Sequence, residues 1–115
     1  MPQFMMLLHE NPAAFSDTTP EQMQAIIERY RAWSQRLVQA GKLGASAKLK
    51  EEGGRHLRSR GGKTEVADGP YAEAKEVLGG YFTVIADDYD GAVEIASGCP
   101  HLENGWIELR QVDEI

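Results

Sequence analysis

Apolar and polar positions along the chain divide it into a short series of elements. Gln3–His9 (QFMMLLH) is a continuous apolar run of strand length. It does not alternate, so both faces of this strand call for dry surroundings. A loop rich in turn residues, Glu10–Asp17, follows. Next, Met23, Ile26, Ile27, Tyr30, Trp33, Leu37 and Val38 recur at helical spacing and predict one long amphipathic helix. Thr19 is placed to cap it, Pro20 suits its first position, Gln22 completes a capping box, and Gly41 stops it.

Beyond Gly41, the segments ASAKLK (45–50), RHLRSR (55–60) and KTEV (63–66) read as short strands. The glycine pairs 53–54 and 61–62 supply tight turns with positive φ. Gly80–Ala86 (GYFTVIA) predicts a strong strand. A second helix starts at a cap on Asp88, presents Val93 and Ala96 with Tyr89 as its inner stripe, and ends at Gly98 before Pro100. WIELRQV (106–112) is an alternating last strand, with Ile107 and Leu109 on one face and Trp106, Glu108 and Arg110 on the other.

This order predicts an α+β fold: a ferredoxin-like split βαβ with an inserted hairpin, as a single domain over residues 1–115. Two helices cover only one face of a four-stranded sheet. Both side-chain sets of the first strand and of Tyr81–Ile85 are nevertheless apolar. The bare face therefore calls for a partner, and a second copy of the chain is the simplest one. The expected assembly is a homodimer whose sheets pack face to face as a dimeric α+β barrel.

The 115 residues suffice for one domain, and 42% hydrophobic with 26% charged residues is an ordinary globular mix. The formal net charge of −6 and pI of about 5.0 argue against direct nucleic-acid binding, which needs clustered Lys and Arg. Lys48, Lys50, Arg55, Arg58, Arg60 and Lys63 read instead as the solvated face of a hairpin. Cys99 is the sole cysteine, so no intrachain disulfide forms. No signal peptide or membrane-spanning run stands out, and a cytoplasmic location without membrane partners is the expectation.

The stretch DGPYAEAKEVLGGYF (68–82) resembles the signature of the DGPF proteins, related to the YCII-like group, with Tyr71 in place of the usual Phe. FMMLLHE near the start, TPEQMQ at the first helix and CPHLENGWIELRQVDE near the end extend the resemblance over nearly the whole chain. It implies a ferredoxin-like fold and a dimer. Some family members accompany or are fused to alternative sigma factors, which implies a regulatory association in those cases. Some YCII-like relatives are thought to use a His and an Asp in a cleft. Here Cys99-Pro100 stands where the Asp-Pro pair would be, and the first helix, Pro20 to Ala40, contains no His. That dyad does not carry over.

Candidate chemistry therefore rests on other residues. Asp68-Gly69-Pro70-Tyr71 is turn chemistry first, with Tyr71 as a core plug. The functional alternative makes the segment the wall of a ligand pocket. Tyr71, Glu73, Lys75 and Glu76 then lie at its mouth, and Gly79 and Gly80 allow close approach of ligand or backbone. His9, at the end of the central first strand, and His101, after Cys99-Pro100, are the candidate proton carriers, with Asp68 or Glu73 to orient them. His56, in the basic hairpin, is given no role. A metal set of His9, Glu10, His101 and Glu103 lacks helical His spacing, and no metal or other cofactor is assigned. Cys99 reads as a small buried hydrophobe. No phosphate loop, dinucleotide fingerprint or serine elbow is present. Two functions stand: a dimeric small-molecule binder, with acid–base catalysis as its enzymatic form, and a non-catalytic regulatory contact module.

Overall fold

The protein is described from a computed structural model, covering residues 1–50, 52–69 and 76–115. Strands β1 (Gln3–Glu10), β2 (Leu43–Lys48), β5 (Val77–Ile85) and β6 (Gly105–Gln111) form one sheet in the order β2-β5-β1-β6. Every neighbouring pair in it is antiparallel. Helices α1 (Pro20–Gln39) and α2 (Tyr89–Ser97) complete the split βαβ plan, and β3 (Arg55–Arg60) with β4 (Lys63–Asp68) make a separate hairpin. The α+β, ferredoxin-like expectation is met at this level.

The apolar run of β1 explains its central position. Phe4, Met6 and Leu8 turn to the helices and are buried. They face Val84, Phe82 and Gly80 on β5, and Phe4 to Leu8 face Gln111, Leu109 and Ile107 on β6 in the same alternation. Trp33 of α1 meets Phe82 edge-on at 5.0 Å, and its indole N–H donates to the Ile95 carbonyl of α2 at 3.3 Å. That bond ties the two helices across the core. Met5, Leu7, Tyr81 and Ile85 lie on the opposite, helix-free face and are half-buried.

The capping box at Thr19 and Gln22 forms in both directions. Asp88 caps α2 through the Gly91 N–H at 2.9 Å. The stripe on α2 differs from expectation. Ala92 and Ala96 are the buried pair, while Val93 is 50% exposed. Tyr89 is half-exposed, its ring edge against Phe4 at 4.8 Å and its hydroxyl accepting the Gln111 N–H. A short helix lying close on a sheet favours small inward residues. Val38, counted in the α1 stripe, is 61% exposed.

Three boundaries shift in ways that matter for the site. β1 runs on through Glu10, a short 3-10 turn at Pro12–Phe15 breaks the expected loop, and β5 begins at Val77. Gly79 and Gly80 therefore lie within a strand rather than in a connection. The register of β1 against β5 slips between Leu8 and His9, a bulge that leaves Gly79 as the extra residue. β4 extends to Asp68, which pairs in register with Arg55, so Asp68 closes a strand before the turn.

Candidate functional site

The helix side of the sheet carries a hollow of about 330 Å³ beneath the N-terminal half of α1. Its floor is small: Ser46 on β2 and Gly79–Gly80 on β5. Its roof and sides are Met23, Ile26, Ile27, Phe15, Leu8 and Phe82. The space follows from which residues meet there. Glycines and a serine beneath large apolar helix residues leave volume that no side chain fills. A larger hollow, about 620 Å³, lies between the chain termini and is lined by Met1, Pro2 and Gln111–Glu114. Its lining mixes the exposed Met1 and Val112 with the polar Gln111, Asp113 and Glu114, which sets it apart from a mostly apolar ligand site.

Tyr30, His101 and Glu10, which lie near one another, line the apolar hollow, as does Lys48 on β2. His101 is buried, with only 4% of its surface exposed. Its Nε2 lies 2.8 Å from the His9 carbonyl oxygen and its Nδ1 3.0 Å from the Tyr30 hydroxyl. A carbonyl only accepts, so Nε2 carries a hydrogen. With the ring neutral, Nδ1 accepts and the Tyr30 hydroxyl donates. Burial first, then the nearby Cys99, Glu10 and Glu103, hold Tyr30 well above the ordinary tyrosine range. Gly105 makes the arrangement fit. A Cβ there would stand 2.4 Å from the His9 carbonyl oxygen and 2.6 Å from His101 Nε2.

Neither Gly79 nor Gly80 has positive φ, so dihedral freedom does not call for them; Gly80 is held to glycine by nearby backbone, and Gly79 lies against the movable Glu10 side chain. A Cβ on Gly79 would meet the Glu10 carboxylate at 2.0 Å, and one on Gly80 would meet the Ala47 carbonyl at 2.8 Å. Gly69 follows the same logic: a Cβ there would run into the His56 ring at 2.0 Å.

The sequence-derived residues separate into three places. His101, Gly79 and Gly80 come together at the hollow. His9 reaches it only through its backbone carbonyl. Its ring lies on the helix-free face, stacked on Trp106 at 4.2 Å and 10°, with Nε2 3.1 Å from Glu108. Trp106 in turn donates its indole N–H to Glu76 at 2.5 Å. Asp68 is on the hairpin, 3.3 Å from Arg55, and meets neither histidine ring. Tyr71, Glu73 and Lys75 lie outside the described residues. Glu103 pairs with Arg29 at 3.0 Å, so the four donors weighed for a metal do not converge; among the described residues no group of three or more His, Cys, Asp or Glu is placed to hold an ion. Cys99 is buried, which pushes its thiol up to about 11 despite the His101 backbone N–H.

Sequence reasoning overlooked Tyr30 and Glu10 as lining residues of the hollow, and Gly105 as the clearance beside His101. Tyr30 carried a signal, because a tyrosine within an apolar stripe brings a hydroxyl that needs a partner.

The family model of the YCII-related domain matches residues 2–115. The chain belongs to the YCII-related domain family. An uncharacterized protein of Rhizobium meliloti (strain 1021) is similar, with 31% identity over 94 residues, covering 81% of this chain and 76% of that protein. Within this YCII-related domain, no helix among the described residues is long and apolar enough to cross a membrane.

Proposed function

We propose that this YCII-related domain is a homodimeric small-molecule-binding protein whose ligand occupies the hollow under α1. The carrying observation is the hollow itself: apolar walls, a volume of about 330 Å³ and a cluster of Tyr30, His101 and Glu10 along its lining. That volume lies at the lower end of the range for small-molecule sites, about 300–1,000 Å³. Binding is better supported than catalysis. Both nitrogens of His101 are engaged, the His9 ring faces the other side of the sheet, and Asp68 pairs with Arg55.

A fragment library screened by ¹H–¹⁵N spectra tests the site. Ligands should shift the Gly79 and Gly80 amides, and Ile26→Trp, which fills the hollow, should abolish those shifts in a chain that still folds. Fragments that bind only elsewhere, or that ignore Ile26→Trp, would count against the site.

The helix-free face supports the dimer. Met5, Leu7, Tyr81 and Ile85 form a half-buried apolar centre there, flanked by Trp106 and Glu108 on β6. A second reading, a contact module for a regulatory partner such as a sigma factor, draws on the hairpin. Leu57 and Val66 oppose each other in register and are 64% and 60% exposed.

A further inference from the structure

Resting on the binding reading above, we infer that the ligand of the hollow is an apolar or aromatic amine, its ammonium or N–H head held by the Glu10 carboxylate and the Tyr30 oxygen. Hydrogen accounting carries this. With the His101 ring neutral, its Nε2 hydrogen goes to the His9 carbonyl and the Tyr30 hydrogen goes to Nδ1 of His101. What Tyr30 retains for the hollow is acceptor lone pairs. Glu10 lines the same side, lies against the Gly79 backbone, and forms no ion pair or hydrogen bond with the described residues. The Tyr30–Glu10 side thus offers acceptors to a ligand that brings donors.

The remaining charges agree. Glu103 is already matched by Arg29 at 3.0 Å. Lys48, the cation that an anionic ligand would need, is exposed at the mouth, with Nζ turned to the Leu49 carbonyl at 3.2 Å. A carboxylate pressed against the Tyr30–Glu10 side would meet like charge and no available donor. An amine there gains a charge-assisted bond while its body displaces water from apolar walls.

Four probes of similar shape decide the matter: 2-phenylethylamine, 2-phenylethanol, ethylbenzene and 3-phenylpropanoate. Their dissociation constants are measured by ¹H–¹⁵N titration, following the Gly79 and Gly80 amides. The amine should bind at least tenfold more tightly than the carboxylate. Glu10→Gln should remove most of that preference while leaving the affinity for ethylbenzene within twofold. Tyr30→Phe should weaken the amine and spare ethylbenzene, and Lys48→Ala should leave the ranking intact. If the carboxylate binds as well as the amine at these amides, or loses its affinity in Lys48→Ala, the acceptor-wall inference fails while the pocket stands. If none of the four shifts these amides, or if Ile26→Trp leaves the shifts unchanged, the pocket reading fails with it.

Discussion

His101 shows how one side chain organises a site through two neighbours that the sequence does not connect. Its ring sits between the His9 carbonyl and the Tyr30 hydroxyl, and Gly105 supplies the clearance. Gly105→Ala forces strand or ring to move and should cost about 2–3 kcal/mol, within the range for breaking a buried bond with strain. Urea unfolding would measure it, and a loss under about 0.5 kcal/mol, typical of a neutral surface change, would contradict the close fit.

Cys99 gives a pH prediction. Its folded-state thiol titrates near 11 against an ordinary 9.0, so the native chain holds that proton more tightly than the unfolded chain. The stabilisation is complete below about pH 9 and is lost as pH rises toward 11, a change on the order of 2–3 kcal/mol. Tyr30 shifts in the same direction from its ordinary 10.0 and adds to the loss at higher pH. Unfolding free energies of wild type and Cys99→Ala across pH 8–11 should converge as pH rises. Parallel curves would contradict the linkage.

Individual residues were unevenly legible in the sequence. His101 stood out as a candidate proton carrier, but its two partners, the His9 carbonyl and the Tyr30 hydroxyl, lie far from it along the chain. The role of Gly79 was not legible, because it depends on a bulge that places one glycine over the Glu10 side chain.

At the scale of elements, local signals and packing divide the work. The α1 cap was readable because Thr19 and Gln22 satisfy backbone groups within four residues. Thr19→Ala should cost about 1 kcal/mol. Since the first turn of α1 leads into the roof of the hollow, it should also raise the exchange rate of the Met23 and Ile26 amides, readable by hydrogen exchange. An unchanged exchange rate would place the roof under the control of packing alone.

The β3–β4 hairpin is the opposite case. Its turn was readable from Gly61 and Gly62, both with positive φ (59° and 79°). All its residues are exposed except the half-buried Ala67, so the turn and the ladder carry it. Gly62→Ala forces an L side chain into the left-handed region at about 1–2 kcal/mol. It should reduce the cross-strand signals between Leu57 and Val66 in nuclear Overhauser spectra while leaving the main sheet intact. Of the stripe expected on α2, Ala96 is buried and Val93 is not, because helical periodicity locates a face but not how closely it approaches the sheet. At close approach Ala92 and Ala96 win over Val93.

For the whole molecule, the radius of gyration is 16.3 Å, against about 13 Å for a compact chain of 115 residues. Its extents are 48 × 44 × 19 Å, a thin slab. Among the described residues one face of the sheet has both helices and the other has none, which leaves a side suited to a second copy. Sedimentation equilibrium at micromolar concentration should give twice the chain mass. Leu7→Arg, in the centre of that side, should give a folded monomer. A wild-type monomer would remove the homodimer from the proposed function, although the hollow, which lies on the helix side, would keep its claim.

Local sequence was enough to read the order of elements, the caps, the hairpin turn and the two-sided apolar run of β1. These depend on interactions within a few residues or on the period of side chains along one element. The site came from packing in three dimensions. The hollow exists because Gly79, Gly80 and Ser46 come to lie beneath Met23 and Ile26, and its polar side exists because His101, Tyr30 and the His9 carbonyl meet across gaps of 71 and 92 residues. Unfilled volume and the direction of a hydrogen bond are properties of neighbours in space, and no periodicity along the chain encodes them.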